Sequence, residues 1–178
     1  MSPAPRLNRS RRQQSEDYAS LTGHVAAPTP STVQATALSI LRGAAGVLST
    51  PVASAYVAPG AEVAWDECCA GHLYVRIVSV APVFGPLAAD GNPCMVKSWA
   101  ATLGLGTLRC VEVVDDRGRG PHPYDLTADA AILHQDMAEL GAFLVAKTNA
   151  SAMEWIPQGP AGGCVSGEWT FTANVRCP

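Results

Sequence analysis

The sequence predicts an α+β domain, a mainly antiparallel sheet with two principal helices packed on one face, preceded by an extended N-terminal arm. Three observations carry this prediction. Apolar residues recur at three- and four-residue steps over residues 33–48 and again over residues 130–144, the period of amphipathic helices. Residues 72–80 are dominated by β-branched and aromatic side chains, and residues 168–175 alternate apolar with polar, the period of strands.

The elements follow in chain order. Residues 1–31 contain Pro3, Pro5, Pro28 and Pro30, few large apolar side chains and neither period, so the segment cannot repay its own ordering entropy. It is set apart as an arm, and residues 32–178 form one domain. Ser31 or Thr32 is placed to cap a helix that buries Val33, Ala37, Ile40, Leu41, Ala44, Val47 and Leu48 and ends at Pro51. Gly43 and Gly46 lower its intrinsic preference by about 1 kcal/mol each, which implies close packing against a neighbour. Tyr56 to Gly60 reads as a turn, and Glu62 to Cys69 as an extended segment.

The strand from His72 to Val80 has Leu73, Val75, Ile77 and Ser79 in one phase and Tyr74, Arg76, Val78 and Val80 in the other. Apolar character on both sides predicts cover on both faces. After a Pro/Gly link over residues 82–93, the 21 residues from Cys94 to Val114 contain no proline. Fully extended they would reach about 70 Å, so Gly104 and Gly106 are expected to mark a bulge, bend or hairpin: two strands, or one long bent strand. Residues 115–125 are a hydrophilic loop.

Thr127 is the predicted N-cap of the second helix, whose buried stripe is Ala130, Leu133, Met137, Leu140 and Leu144. Asp129, Asp136 and Glu139 fall on its more exposed faces, and Lys147 in the last turn complements the dipole. Pro157 to Gly163 reads as a turn-forming stretch before the last strand. That strand turns Trp169, Phe171, Ala173 and Val175 inward and Glu168, Thr170, Thr172 and Asn174 outward.

Composition narrows the function. Charged residues are 15% of the 178-residue, 18.5 kDa chain, against about 25% in an ordinary soluble domain, so much of the surface is expected to be covered by something. The net charge of −3 divides into +2 on residues 1–31, where Arg6, Arg9, Arg11 and Arg12 oppose Glu16 and Asp17, and −5 on the rest. The four arginines of the arm are the expected partner-binding residues, a tether to an acidic surface. An acidic body supplies no field for binding free DNA, and no apolar run reaches the ~18 residues of a membrane span. The polar N-terminus lacks the apolar core of a signal peptide, so cytoplasmic synthesis is the expectation.

Residues able to do chemistry do not assemble into a catalytic pattern. Cys69 and His72 form half of a zinc motif, but Cys164 and Cys177 lie too far apart to complete it, so no metal or other cofactor is expected. Cys68, Cys69, Cys110 and Cys164 could form disulfides, but a cytoplasmically made chain favours buried free thiols. Adjacent Cys68 and Cys69 on an extended segment must point to opposite faces. Val165 stands where a nucleophile elbow requires serine, the glycines of residues 159–167 lack the Lys-Ser/Thr of a phosphate loop, and His24, His72, His122 and His134 are scattered. A thiol- or metal-dependent enzyme is therefore the weaker alternative, and a non-enzymatic role the expectation.

Three stretches are specific in wording. Pro59-Gly-Ala-Glu-Val-Ala-Trp-Asp-Glu-Cys-Cys69 before a Leu-Tyr-Val-Arg-Ile strand, Leu126-Thr-Ala-Asp129 opening a helix, and Gly159-Pro-Ala-Gly-Gly-Cys-Val-Ser-Gly-Glu-Trp-Thr-Phe171 resemble the tail terminator, a neck protein of long-tailed bacteriophages infecting actinobacteria. The resemblance spans about residues 32–175 and leaves the arm unmatched. It implies a tail-terminator-like fold and a structural virion protein whose six copies form a ring. That ring would cap the tail tube and join it to the head–tail connector or stopper, with DNA passing through its lumen without sequence-specific binding. It implies assembly in the host cytoplasm and residence in the virion neck. Another neck component, a stopper or adaptor, is the alternative within the same class.

Overall fold

The computed structural model describes residues 32–58, 60, 63, 68–84, 96–114 and 117–176, so the arm expected over residues 1–31 lies outside the described residues. Helix α1 (Thr32–Ala45) is followed by strands β1 (Ser54–Ala58), β2 (His72–Phe84) and β3 (Val96–Cys110), helix α2 (Pro123–Lys147), and strands β4 (Ser151–Ala161) and β5 (Cys164–Arg176). The strands form one sheet in the order β1-β2-β3-β5-β4. Only the β1–β2 pair is parallel.

Both helices lie on one face, as the sequence predicts. Ala37, Ile40, Leu41 and Ala44 of α1 and Leu140, Phe143 and Leu144 of α2 share a core with Leu73, Val75, Leu103, Leu105, Phe171, Ala173 and Val175 of the sheet. Gly43 is where the helices come closest: a Cβ there would stand 2.6 Å from the Phe143 ring. The Trp169 indole packs on Gly141 and donates its Nε1–H to the Met137 carbonyl at 2.8 Å, fixing α2 over β5.

Several expectations are corrected. Residues 56–58 are not a turn but most of β1, which pairs with β2 from Ser54↔His72 to Ala58↔Arg76. The stretch from Pro157 is not merely a turn: it belongs to β4, an edge strand, where a proline forfeits no ladder hydrogen bond on its open side. The turn itself is only Gly162 and Gly163, whose φ of 60° and 83° suit a two-residue hairpin between Ala161 and Cys164.

Residues 96–110 are a single strand with unbroken register through Gly104 and Gly106. The bulge lies instead in β2, between Ile77 and Ser79. It reverses the face of the residues from Ser79 to Val83, before a second register shift at Phe84, so Val80 pairs with Ala101 on the helix side, in phase with Leu73 and not with Tyr74.

Helix α2 begins four residues before the expected cap. His122 is the N-cap, its Nδ1 accepting from the Tyr124 amide at 3.2 Å, with Pro123 in the first turn; Thr127 lies inside and donates to the Pro123 carbonyl. Ala130 is exposed rather than buried. Asp136, expected on a more exposed face, is fully buried because Arg109 of β3 reaches it: Nε and Nη2 donate to its two oxygens at 2.8 and 3.0 Å. Two further donors of Arg109 go to the carbonyls of Pro51 and Thr50 at 2.8 and 3.0 Å. One guanidinium thus joins β3, α2 and the α1–β1 loop. Glu139 seals the same loop by accepting from the Ser49 hydroxyl and amide, which hold its carboxyl below the usual carboxylate range.

Breaking this buried pair on one side strands a charge, whereas replacing both partners does not. Arg109→Met should lower unfolding free energy by about 3–5 kcal/mol in urea titration, and adding Asp136→Leu to it should recover most of that loss. A double variant no more stable than Arg109→Met would contradict the assignment.

Candidate functional site

The predicted site residues fall into two groups. Arg6, Arg9, Arg11 and Arg12 lie outside the described residues. The four cysteines are described, and the free-thiol expectation for them is corrected: Cys68 is bonded to Cys164 and Cys69 to Cys110, closing separations of 96 and 41 residues. Loops of these lengths constrain the unfolded chain by about 4–5 kcal/mol each in the chain-entropy account. Cys68 and Cys164 are buried with Tyr74 and Leu108 on the face away from the helices, whereas Cys69 and Cys110 are exposed. The adjacent cysteines do diverge, one inward and one outward. Sequence spacing could not reveal the pairing, because four cysteines allow three connectivities.

Zinc at Cys69 and His72 has no ligand set here. Cys69 is oxidised, and His72 Nδ1 hydrogen-bonds the Ser54 hydroxyl while its ring meets Tyr56 edge-on. Among the described residues no group of three or more His, Cys, Asp or Glu side chains is placed to hold a metal ion.

The polar centre that sequence reasoning missed lies on the face opposite the helices. Glu168, expected on the outward face, does lie on the face away from the helices but is 1% exposed. Its carboxylate accepts from Arg76 Nε and Nη2 at 2.6 and 2.7 Å and from Thr170 Oγ1 at 3.2 Å. Arg76 is on β2 and Glu168 on β5, with β3 between them. They meet because the intervening residues are Gly104 and Gly106: a Cβ at Gly104 would collide with the Glu168 carboxylate, and one at Gly106 with the Tyr74 hydroxyl. The signal in the sequence was this glycine pair in a strand otherwise rich in side chains. Burial, and then the negative charge and hydrogen bond of Glu168, push the Tyr74 hydroxyl well above its ordinary pKa. Every polar group of this cluster is engaged with its neighbours, so the arrangement fixes strand register and leaves no base or nucleophile pointed at a substrate.

Exposed apolar side chains occur at both ends of the sheet, besides Val47 after α1, Val145 on α2 and Ile156 on β4. At the end where β2 meets β3, Val78, Val80 and Val83 are 39, 42 and 36% exposed, and residues 77–83 carry no charge. Beyond Arg76 this part of β2 has β3 on one side and, among the described residues, no strand on the other. At the opposite end, where the disulfides lie, the chain leaving β3 exposes Val113 and Val114 by 53 and 59% and is held to α2 by the Glu112 amide on Asp129. There the first ten residues of α2, about 15 Å of helix, bury no side chain and expose Tyr124, Leu126 and Ile132. Pro82 on the open part of β2 and Pro157 and Pro160 on β4 interrupt those two edges, whereas β1, the other edge strand, carries no proline. Strand addition at the two interrupted edges is thereby disfavoured.

No protein-family model matches the chain, and no curated protein matches it significantly.

A folded-state pKa raised above the unfolded value means that stability is fully present below about pH 10 and is lost as pH rises toward the folded value. In alkaline difference spectroscopy the Tyr74 phenolate should therefore appear only as the protein unfolds. Tyr74→Phe should remove that late component and flatten the alkaline fall in stability. Ionisation of Tyr74 near pH 10 in the folded protein would contradict its place beside Glu168.

Proposed function

We propose that the chain is a structural subunit of the neck of a long-tailed phage virion, a tail terminator. In this reading six copies close a ring that caps the tail tube and joins it to the head–tail connector. The observation that carries the reading is the presence of two unlike exposed apolar surfaces at opposite ends of one sheet. Two unlike surfaces at opposite ends allow one end of a copy to meet the other end of the next, and such head-to-tail contacts close into a ring when the rotation per copy allows.

The copy number of six and the position in the virion come from the resemblance of residues 32–175 to tail terminators. The low charge content agrees with a subunit that gives much of its surface to neighbours. The acidic body, −5 over residues 32–178, suits a ring through which DNA slides without adhering. The basic arm supplies the opposite sign and is the element assigned to an acidic neighbour.

Native mass measurement and electron microscopy of the purified protein, alone and with tail-tube subunits, should show a six-fold ring. Monomers under every such condition would refute the terminator reading. Deleting residues 2–30 should leave the circular dichroism of the body unchanged and reduce the yield of assembled particles, and an unchanged yield would remove the tether role from the arm.

A further inference from the structure

The four paired cysteines form more than two independent staples. Cys110 and Cys164 are register partners on β3 and β5, and the Val111 amide donates to the Gly163 carbonyl at 2.9 Å. That bond, one residue beyond Cys110 and one before Cys164, makes them a non-hydrogen-bonded pair of the antiparallel ladder. In such pairs the Cα atoms lie about 4.5 Å apart and the side chains stand closest, a spacing a disulfide can span. Each cysteine is instead bonded to one of the adjacent residues Cys68 and Cys69. Four sulfur atoms therefore meet at one corner of the sheet, and a second pairing, Cys110–Cys164, is already in register.

The two existing bonds differ in access. Cys68 and Cys164 are 3% and 7% exposed. Cys69 and Cys110 are exposed and line a cleft of about 280 Å³ with Ala70, Gly71 and Ile132.

We propose that Cys69–Cys110 is a thiol–disulfide exchange site for a dithiol reductant, and that its opening transfers the buried bond to the cross-strand pair. A thiolate of the dithiol attacks the Cys69–Cys110 bond, and its second thiol closes the reductant to a disulfide, leaving Cys69 and Cys110 as thiols. The Cys110 thiolate then attacks Cys164 Sγ; the Cys110–Cys164 bond forms, the Cys68–Cys164 bond breaks, and Cys68 leaves as a thiolate that takes up a proton. The net change is oxidation of one dithiol and reduction of one protein disulfide. The sheet keeps a covalent clasp between β3 and β5. The segment between β1 and β2 loses both of its clasps, and with them its hold on the buried cluster of Tyr74 and Leu108, against which Val63 packs.

The test is graded reduction of the full-length protein with dithiothreitol, acid quenching, alkylation and peptide mass mapping. After one disulfide equivalent is consumed, the account requires alkylated Cys68 and Cys69 and a Cys110–Cys164 linked peptide pair. Alkylation at Cys69 and Cys110 with Cys68–Cys164 intact would overturn the transfer. First reduction at Cys68–Cys164, or four free thiols in protein purified under air, would overturn the exchange site itself. A second variant needs no reductant: Cys69→Ser frees Cys110 directly and should yield a Cys110–Cys164 bond with Cys68 alkylated. Retention of Cys68–Cys164 in that variant, with its circular dichroism native, would equally overturn the proposal.

Discussion

A carboxylate sits in the middle of the sheet, on the face away from the helices, and the strand arrangement is built around it. Glu168 on β5 and Arg76 on β2 are separated by β3, and they reach each other only because Gly104 and Gly106 put no side chain between them. A buried charge without its partner costs several kcal/mol, so a one-residue slip of β2 or β5 would set Arg76 or Glu168 on the wrong face. The ion pair thereby fixes three strands in register at once. With register fixed, Leu73, Val75, Leu103, Leu105 and Phe171 fall together on the other face, where both helices cover them. Arg109 and Asp136 repeat the device on the helix side and set the position of α2.

This construction accounts for what the sequence displayed and what it concealed. The helix over residues 32–45, the core phase of β5 and the cover on both faces of β2 over residues 73–75 were legible, because burial imprints a period on the residues. The cover expected as far as Val80 is absent, since Val78 and Val80 are exposed. Glu168 was placed outward and its burial was missed because alternation reports only which face a residue occupies. Whether that face is covered depends on Tyr74, Arg76 and the glycines of a different strand. Asp136 was misplaced for the same reason, since its partner is 27 residues away. β4 was hidden by its prolines, which are tolerated only because it is an edge strand. The bulge at Val78 left no compositional mark and yet inverted the outer half of β2. Of the candidate site, the identity of four cysteines could be named and their pairing could not, and the arm stayed a matter of composition.

The functional reading follows from where the fold leaves itself uncovered. The core and the Arg76–Glu168 pair occupy the middle of the sheet, and exposed apolar side chains include an uncharged β2–β3 projection at one end and the overhanging start of α2 with Val113 and Val114 at the other. Prolines on the open part of β2 and on β4 disfavour strand addition at those two edges. A chain with this distribution has a head and a tail, and head-to-tail contacts make closed rings or open filaments. Ring closure is the outcome proposed here, in keeping with the resemblance to phage neck proteins.

Head-to-tail association is tested most directly by disabling one end at a time. Val80→Asp blocks the β2–β3 end and Val114→Asp blocks the α2 end; each leaves the core and both ion pairs intact. Native mass measurement of either variant alone should show monomers. An equal mixture should show a dimer and nothing larger, because each mixed pair retains one working contact between unlike ends. Wild-type oligomers from either variant alone, or a mixture that stays monomeric while the wild type assembles, would contradict the account.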